Sequence, residues 1–129
     1  VCHRWNDQSV GIASGSFRTR GMLIVPCSMG TVGRIQAGVA MDLIERCADV
    51  HLKEGRPLLI APREMPFNLI HLRNLTALAE AGARTAAPIP AWYTQPRTLE
   101  EMVDFIVIRL LDGFEDDLAP LRRWTGPIK

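Results

Sequence analysis

Apolar positions along this 129-residue chain gather in short dense runs, separated by polar stretches that carry glycine or proline. Gly21-Met22-Leu23-Ile24-Val25 is a continuous apolar run with β-branched members, closed by Pro26. It reads as a buried strand of a parallel sheet covered on both faces. Leu58-Leu59-Ile60-Ala61 reads as a second buried strand, and Arg84 to Ala87 as a brief extended segment. Between them the period changes. Val32 to Val39 has helical character, and Asp42 to Glu54 reads as a helix capped by Asp42 and ended by Gly55 and Pro57. Asn68 to Ala81 places Leu69, Leu72, Leu75, Leu78 and Ala79 at helical spacing, with Gly82 as terminator. Thr98-Leu-Glu-Glu101 is a capping box opening a last helix, whose buried side is predicted to hold Leu99, Met102, Val103, Ile106, Val107, Leu110 and Leu111.

The remaining segments are connections. Residues 1–20 read as a loop with at most a short helical turn, and Pro88 to Pro96 as a proline-rich loop. The tail from Phe114 holds an acidic patch and ends around Arg123-Trp124. Strands alternating with helices predict an α/β fold with a mainly parallel sheet. Three short strands make a narrow sheet with exposed edges, which implies that something else covers them.

Composition narrows the function classes. The length suits one domain, and 47% hydrophobic residues support a folded core. A formal charge of +1, without a long Lys/Arg run, argues against nucleic acid as a partner. No apolar run approaches the roughly 20 residues that span a bilayer. No secretory signal pattern is found. Three cysteines, Cys2, Cys27 and Cys47, have no paired spacing, so a reducing, cytoplasmic setting is expected.

With so little net charge, an anion must be held by residues that converge on folding. Cys27-Ser28-Met29-Gly30-Thr31 follows a strand and precedes a helix, the arrangement in which loop amides and a helix N-terminus point at one anion. A plain strand-to-helix turn accounts for the same residues. Arg63-Glu64, after the second strand, reads either as a site pair or as a surface ion pair. Arg46 and Lys53 are two helical turns apart and share a face, which by default is solvated. Cys27 lacks a His/Asp partner pattern and reads as a small buried residue rather than a nucleophile.

Eight stretches together resemble the UbiX-type flavin prenyltransferase family. They are Ser14-Gly-Ser-Phe17, Gly21 to Met29, Arg46 to Glu54, Arg63-Glu-Met-Pro66, His71-Leu-Arg-Asn74, Pro88 to Tyr93, Arg109-Leu-Leu-Asp112 and Arg123-Trp124. Their order and spacing are family-like over about residues 9–126. The resemblance implies a Rossmann-like or flavodoxin-like three-layer fold. It identifies residues 1–129 as the C-terminal part of a single flavoprotein domain, without the family's first strands and first phosphate loop.

The resemblance also implies an activity: transfer of a dimethylallyl group from dimethylallyl phosphate to reduced FMN, with no metal. The prenylated FMN then serves UbiD-type decarboxylases. Ser28, Met29, Gly30, Thr31 and Arg63 match FMN-binding positions, and Arg46, Lys53, Tyr93 and Arg109 match positions that bind dimethylallyl phosphate. Glu64, Arg63 and Trp124 match the catalytic group. Ser14 and Ser16 fall in a signature loop near the flavin, while Trp92 and His71 read as packing or helix residues. Homo-oligomers, commonly dodecamers, with sites between subunits are implied too. The alternatives are an FMN-binding relative of the cysteine-type decarboxylases and an inactive fragment or assembly piece.

Overall fold

A computed structural model describes residues 1–114 of the chain. The chain divides into two compact units, Val1–Pro88 and Ile89–Lys129.

The first unit is built on three parallel strands, β1 (Met22–Cys27), β2 (Leu58–Pro62) and β3 (Arg84–Thr85), in the order β1-β2-β3. β1 is followed by α1 (Met29–Gln36) and α2 (Leu43–Lys53), and β2 by α3 (Leu69–Glu80). β2 is buried at every position, as expected for a central strand whose residues are all apolar. Its Leu58 and Ile60 join Ile24 of β1, Val32 and Ile35 of α1, Ala48 of α2 and Leu78 of α3 in the main core. A smaller cluster of Ala13, Leu43 and Cys47 seats a 3-10 turn at Gly11–Ala13 beneath α2.

Caps define the helix starts. The side chains of Ser28, Asp42 and Asn68 each accept the N–H three residues on, at Thr31, Glu45 and His71. Gly55 and Gly82, predicted as terminators, take positive φ angles of 63° and 99° just past α2 and α3. His71 resolves as a capping residue, since its ring nitrogen accepts the Asn68 N–H in a reciprocal box.

Four expectations for the first unit require correction. β1 does not close before Pro26 but runs through it to Cys27. Its register with β2 shifts between Ile24 and Cys27, where a residue lacking an N–H is tolerated. The helix expected at Val32–Val39 lies three residues earlier, because Ser28 caps it. β3 is only two residues long. The apolar stripe of α3 is largely open, with Leu69, Ile70 and Leu72 exposed and only Leu78 buried.

In the second unit, a 3-10 turn (Trp92–Thr94) precedes α4 (Leu99–Leu111), which Thr98 caps. The box predicted there is modified: the Glu101 carboxylate accepts the N–H of Arg97 rather than that of Thr98. The predicted buried side of α4 is also corrected. Leu110 is buried, but Leu99, Val103 and Val107 are exposed, and so is Trp92, expected to pack. Among the described residues, no helix is long and apolar enough to cross a membrane.

Candidate functional site

The strand-to-helix turn is a small polar scaffold. Ser28 Oγ accepts the Thr31 N–H at 3.1 Å and lies 3.0 Å from Thr31 Oγ1. Ser28 and Gly30 are exposed, whereas Met29 and Val32 are buried in the core. Alternation of outward polar and inward apolar residues therefore presents the first turn of α1 outward, N–H groups and positive dipole end included. Met29 is corrected in this respect: its side chain packs inside, so only its backbone is available to a ligand.

The parallel register brings Arg63 to the same place. Cys27 pairs with Pro62, and the Arg63 N–H donates to the Cys27 carbonyl at 3.0 Å. Residues 35 apart in sequence thus share the carboxyl edge of the strands, the edge at which open parallel sheets bind ligands. Arg63 and Glu64 are both exposed there, and a Glu64 carboxylate oxygen accepts the Met65 N–H at 3.2 Å. Ser28, Gly30, Thr31, Arg63 and Glu64 therefore share one edge of the sheet.

Sequence reasoning missed Arg34, one turn along α1. Its Nη2 lies 3.4 Å from Thr31 Oγ1, and its Nη1 lies 3.4 Å from where a Cβ on Gly30 would stand. Spacing of three and four residues was the available signal. Cys27 beneath the loop is 1% exposed, and burial pushes its thiol up to about 11, against the opposing charge of Arg34. That environment suits a packing residue and not a thiolate nucleophile, as the sequence suggested.

Arg46 and Lys53 do not join this group. Arg46 donates through Nε to the Ala13 carbonyl at 3.1 Å and through Nη1 to Asp49 at 2.8 Å. Lys53 Nζ lies 3.6 Å from a Glu54 carboxylate oxygen and 3.3 Å from where a Cβ on Gly15 would stand. Arg56, not singled out by sequence, donates to the Phe17 carbonyl at 2.6 Å and also to the Gly15 carbonyl. The three cations thus line the signature loop, in which the hydroxyls of Ser14 and Ser16 are 2.9 Å apart. The reason is topological. α2 hands the chain into the start of β2, whereas Arg63 follows its end, and the five residues between span roughly 16 Å. One chain alone does not gather Lys53 and Arg63 about a single phosphoryl group.

In the second unit, Tyr93 stands edge-on to Phe105 with ring centroids 6.3 Å apart, and remains exposed. Arg109 is exposed and pairs with Asp112 at 2.9 Å, one turn on. Trp124 lies outside the described residues.

Comparison with known proteins places this geometry in a family. A family described as Flavoprotein matches residues 4–111. The flavin prenyltransferase UbiX of Synechocystis is 56% identical over 126 residues, covering 98% of this chain and 61% of that protein. A probable UbiX-like flavin prenyltransferase of Bacillus subtilis is 49% identical, covering 93% and 59%. The chain thus spans about three fifths of the length of these curated relatives. Among solved structures, the dodecameric FMN-dependent UbiX-like decarboxylase of Escherichia coli O157:H7 superposes with a TM-score of 0.92 at 48% identity, covering 96% of this chain and 67% of the other. AnUbiX (PadA1), in complex with FMN and dimethylallyl pyrophosphate, gives 0.94 at 44%, covering 98% and 67%. The cysteine decarboxylase TvaF and the cypemycin decarboxylase CypD, at 17% and 20% identity with TM-scores of 0.52 and 0.54, share the fold alone. The chain has the expected flavodoxin-like α/β fold and belongs to the flavoproteins and, within them, to the UbiX-type flavin prenyltransferase family.

Proposed function

We propose that this chain carries the FMN loop and part of the prenyl-phosphate site of a flavin prenyltransferase. The reaction moves a dimethylallyl group from dimethylallyl phosphate to reduced FMN. The allylic C–O bond breaks, bonds to the flavin ring form, and inorganic phosphate leaves. The observation that supports this reading most directly is the pairing of Cys27 with Pro62, which sets Arg63 and Glu64 beside the Ser28–Thr31 loop.

The loop fits the group it would hold. The exposed Ser28 hydroxyl, the half-buried Thr31 hydroxyl, the open backbone at Gly30 and the amides of the first α1 turn offer donors to a flavin, with the exposed Arg63 following the neighbouring strand. Reduced FMN, when bound, supplies the electron-rich ring that accepts the dimethylallyl carbon. Negative charge grows on the departing phosphate, and fixed cations aimed at it lower the barrier. Arg63 serves that purpose from the loop side. Glu64 is exposed at the same edge and suits a proton transfer to the leaving phosphate or from the ring. Arg46, Lys53, Tyr93 and Arg109 complete the phosphate site in this reading, and Trp124 adds an aromatic face to the allylic carbon. Because α2 ends at the opening of β2, Lys53 would act on the site of a second copy. That requirement agrees with an oligomer, for which the dodecameric relative is the precedent. The product would pass in the cytoplasm to a decarboxylase of the UbiD type.

The test is direct. The purified chain is incubated anaerobically with reduced FMN and dimethylallyl phosphate, and the flavin is analysed by mass spectrometry. A flavin heavier by one prenyl unit is expected. Recovery of unmodified flavin alone, while a full-length relative turns over in parallel, would instead favour an inactive assembly piece.

A further inference from the structure

A carboxylate with no solvent contact lies behind the flavin loop. Glu45, on the first turn of α2, has a fully buried side chain, and its residue is 1% exposed. Both oxygens are committed. One takes the Nε–H of Arg34 in a short ion pair, and the other accepts the Met41 N–H at 2.7 Å. Arg34 is 41% exposed at its side chain, so its far edge reaches the surface while its near edge is held inside. That far edge meets the loop at Thr31 Oγ1 and above Gly30, and Thr31 in turn holds Ser28.

We infer that Glu45 and Arg34 are a positioning pair, fixing the Ser28–Thr31 loop and its cation in the geometry that receives a flavin. The inference rests on the FMN reading of that loop. A half-exposed arginine left to itself samples many rotamers, and ordering it at the moment of binding would weaken the ligand's hold. Anchoring Nε to a buried acceptor removes that freedom beforehand. The same carboxylate ties down the connection between α1 and α2 through Met41, so the helix bearing the loop and the helix behind it share one anchor. A purely structural ion pair would need no contact with Thr31; here the guanidinium turns both Nη nitrogens toward the loop.

Glu45→Gln keeps the shape and an acceptor for Met41 but removes the charge that orients Arg34. Amide hydrogen exchange on the flavin-free protein is expected to quicken at least about tenfold at Thr31, which Ser28 Oγ now protects, and to stay unchanged at Ile60 of β2. FMN affinity, read by flavin fluorescence, should fall about tenfold. Arg34→Lys, which keeps the charge but loses the planar fork, should give the same two changes and serves if Glu45→Gln does not fold. The double variant Arg34→Met/Glu45→Met removes both charges of the pair and should restore thermal stability without restoring FMN affinity. Unchanged exchange at Thr31 in the single variants, or wild-type FMN affinity in the double variant, overturns the inference. Wild-type protein that binds no FMN, while Thr31 exchange still responds to Glu45→Gln, overturns the flavin reading and leaves the positioning pair standing.

Discussion

At the scale of single residues, Cys27 shows how position overrides reactivity. It ends β1 directly before the Ser28–Thr31 loop, where a nucleophile would be easy to imagine, yet it is sealed in the core. Burial disfavours the thiolate and raises its pKa from an ordinary 9.0 to about 11, although the Arg34 charge pulls the other way. The consequence for stability has a definite sign. Below about pH 9 the thiol is protonated in folded and unfolded chains alike and contributes no pH dependence. Between 9.0 and about 11 the unfolded chain releases its proton while the folded one keeps it, so stability falls as pH rises. Two units correspond to about 2–3 kcal/mol across that window. Urea unfolding midpoints of wild type and Cys27→Ala, compared from pH 8 to pH 11, isolate this group from other alkaline titrations. The wild type is expected to lose stability more steeply than the variant above pH 9, and parallel curves would contradict the assignment. The folded protein should also resist iodoacetamide at Cys27 near neutral pH, while the exposed Cys2 reacts.

At the scale of elements, the helix starts rest on local chemistry and are correspondingly easy to perturb. Asn68 caps α3 by accepting the His71 N–H at 2.8 Å, and the His71 ring accepts the Asn68 N–H in return. Asn68→Ala should cost about 1 kcal/mol, and Asn68→Asp only a few tenths, in urea denaturation with an unchanged m-value. Equal losses in the two variants would show that the side-chain acceptor is not what stabilises the first turn. The caps at Asp42 and Thr98 were legible in the sequence because a cap needs only one residue type at one offset. The Ser28–Thr31 turn was legible for the same reason, as a strand, a small polar loop and a helix in succession. The continuation of β1 through Pro26 was not, since it depends on a register irregularity against β2 that only the neighbouring strand reveals. Nor was the Arg34–Glu45 pair, whose partners sit eleven residues apart across the connection between two helices. Periodicity identified the apolar stripes of α3 and α4 but could not say what covers them, because a stripe records a preference and not a partner.

At the scale of the whole molecule, that uncovered surface carries the last prediction. Met65, Leu69, Ile70 and Leu72 are 91%, 60%, 65% and 49% exposed within eight residues, directly after Arg63 and Glu64. Scattered surface leucines are ordinary, but a contiguous apolar segment beside a functional edge marks an interaction surface. Under the proposed function, assembly with further copies would bury this segment and also deliver Lys53 of one copy to the site of another, since β2 separates Lys53 from Arg63 within one chain. The two requirements are met by one event, so they should fail together. Ile70→Asp places a charge at the centre of the face without touching the buried Leu78 that holds α3 to the core. Light scattering behind gel filtration should show the wild-type chain as a large oligomer and the variant as a much smaller species. Far-ultraviolet circular dichroism should stay unchanged, as expected for a surface substitution that costs within about 0.5 kcal/mol of fold stability. Prenyl transfer should drop with the oligomer, whereas FMN binding to the Ser28–Thr31 loop, built within one chain, should persist. If Ile70→Asp left the mass unaltered, the α3 face would not be the assembly surface; if it dispersed the oligomer yet kept full turnover, Lys53 would have no part in a neighbour's site.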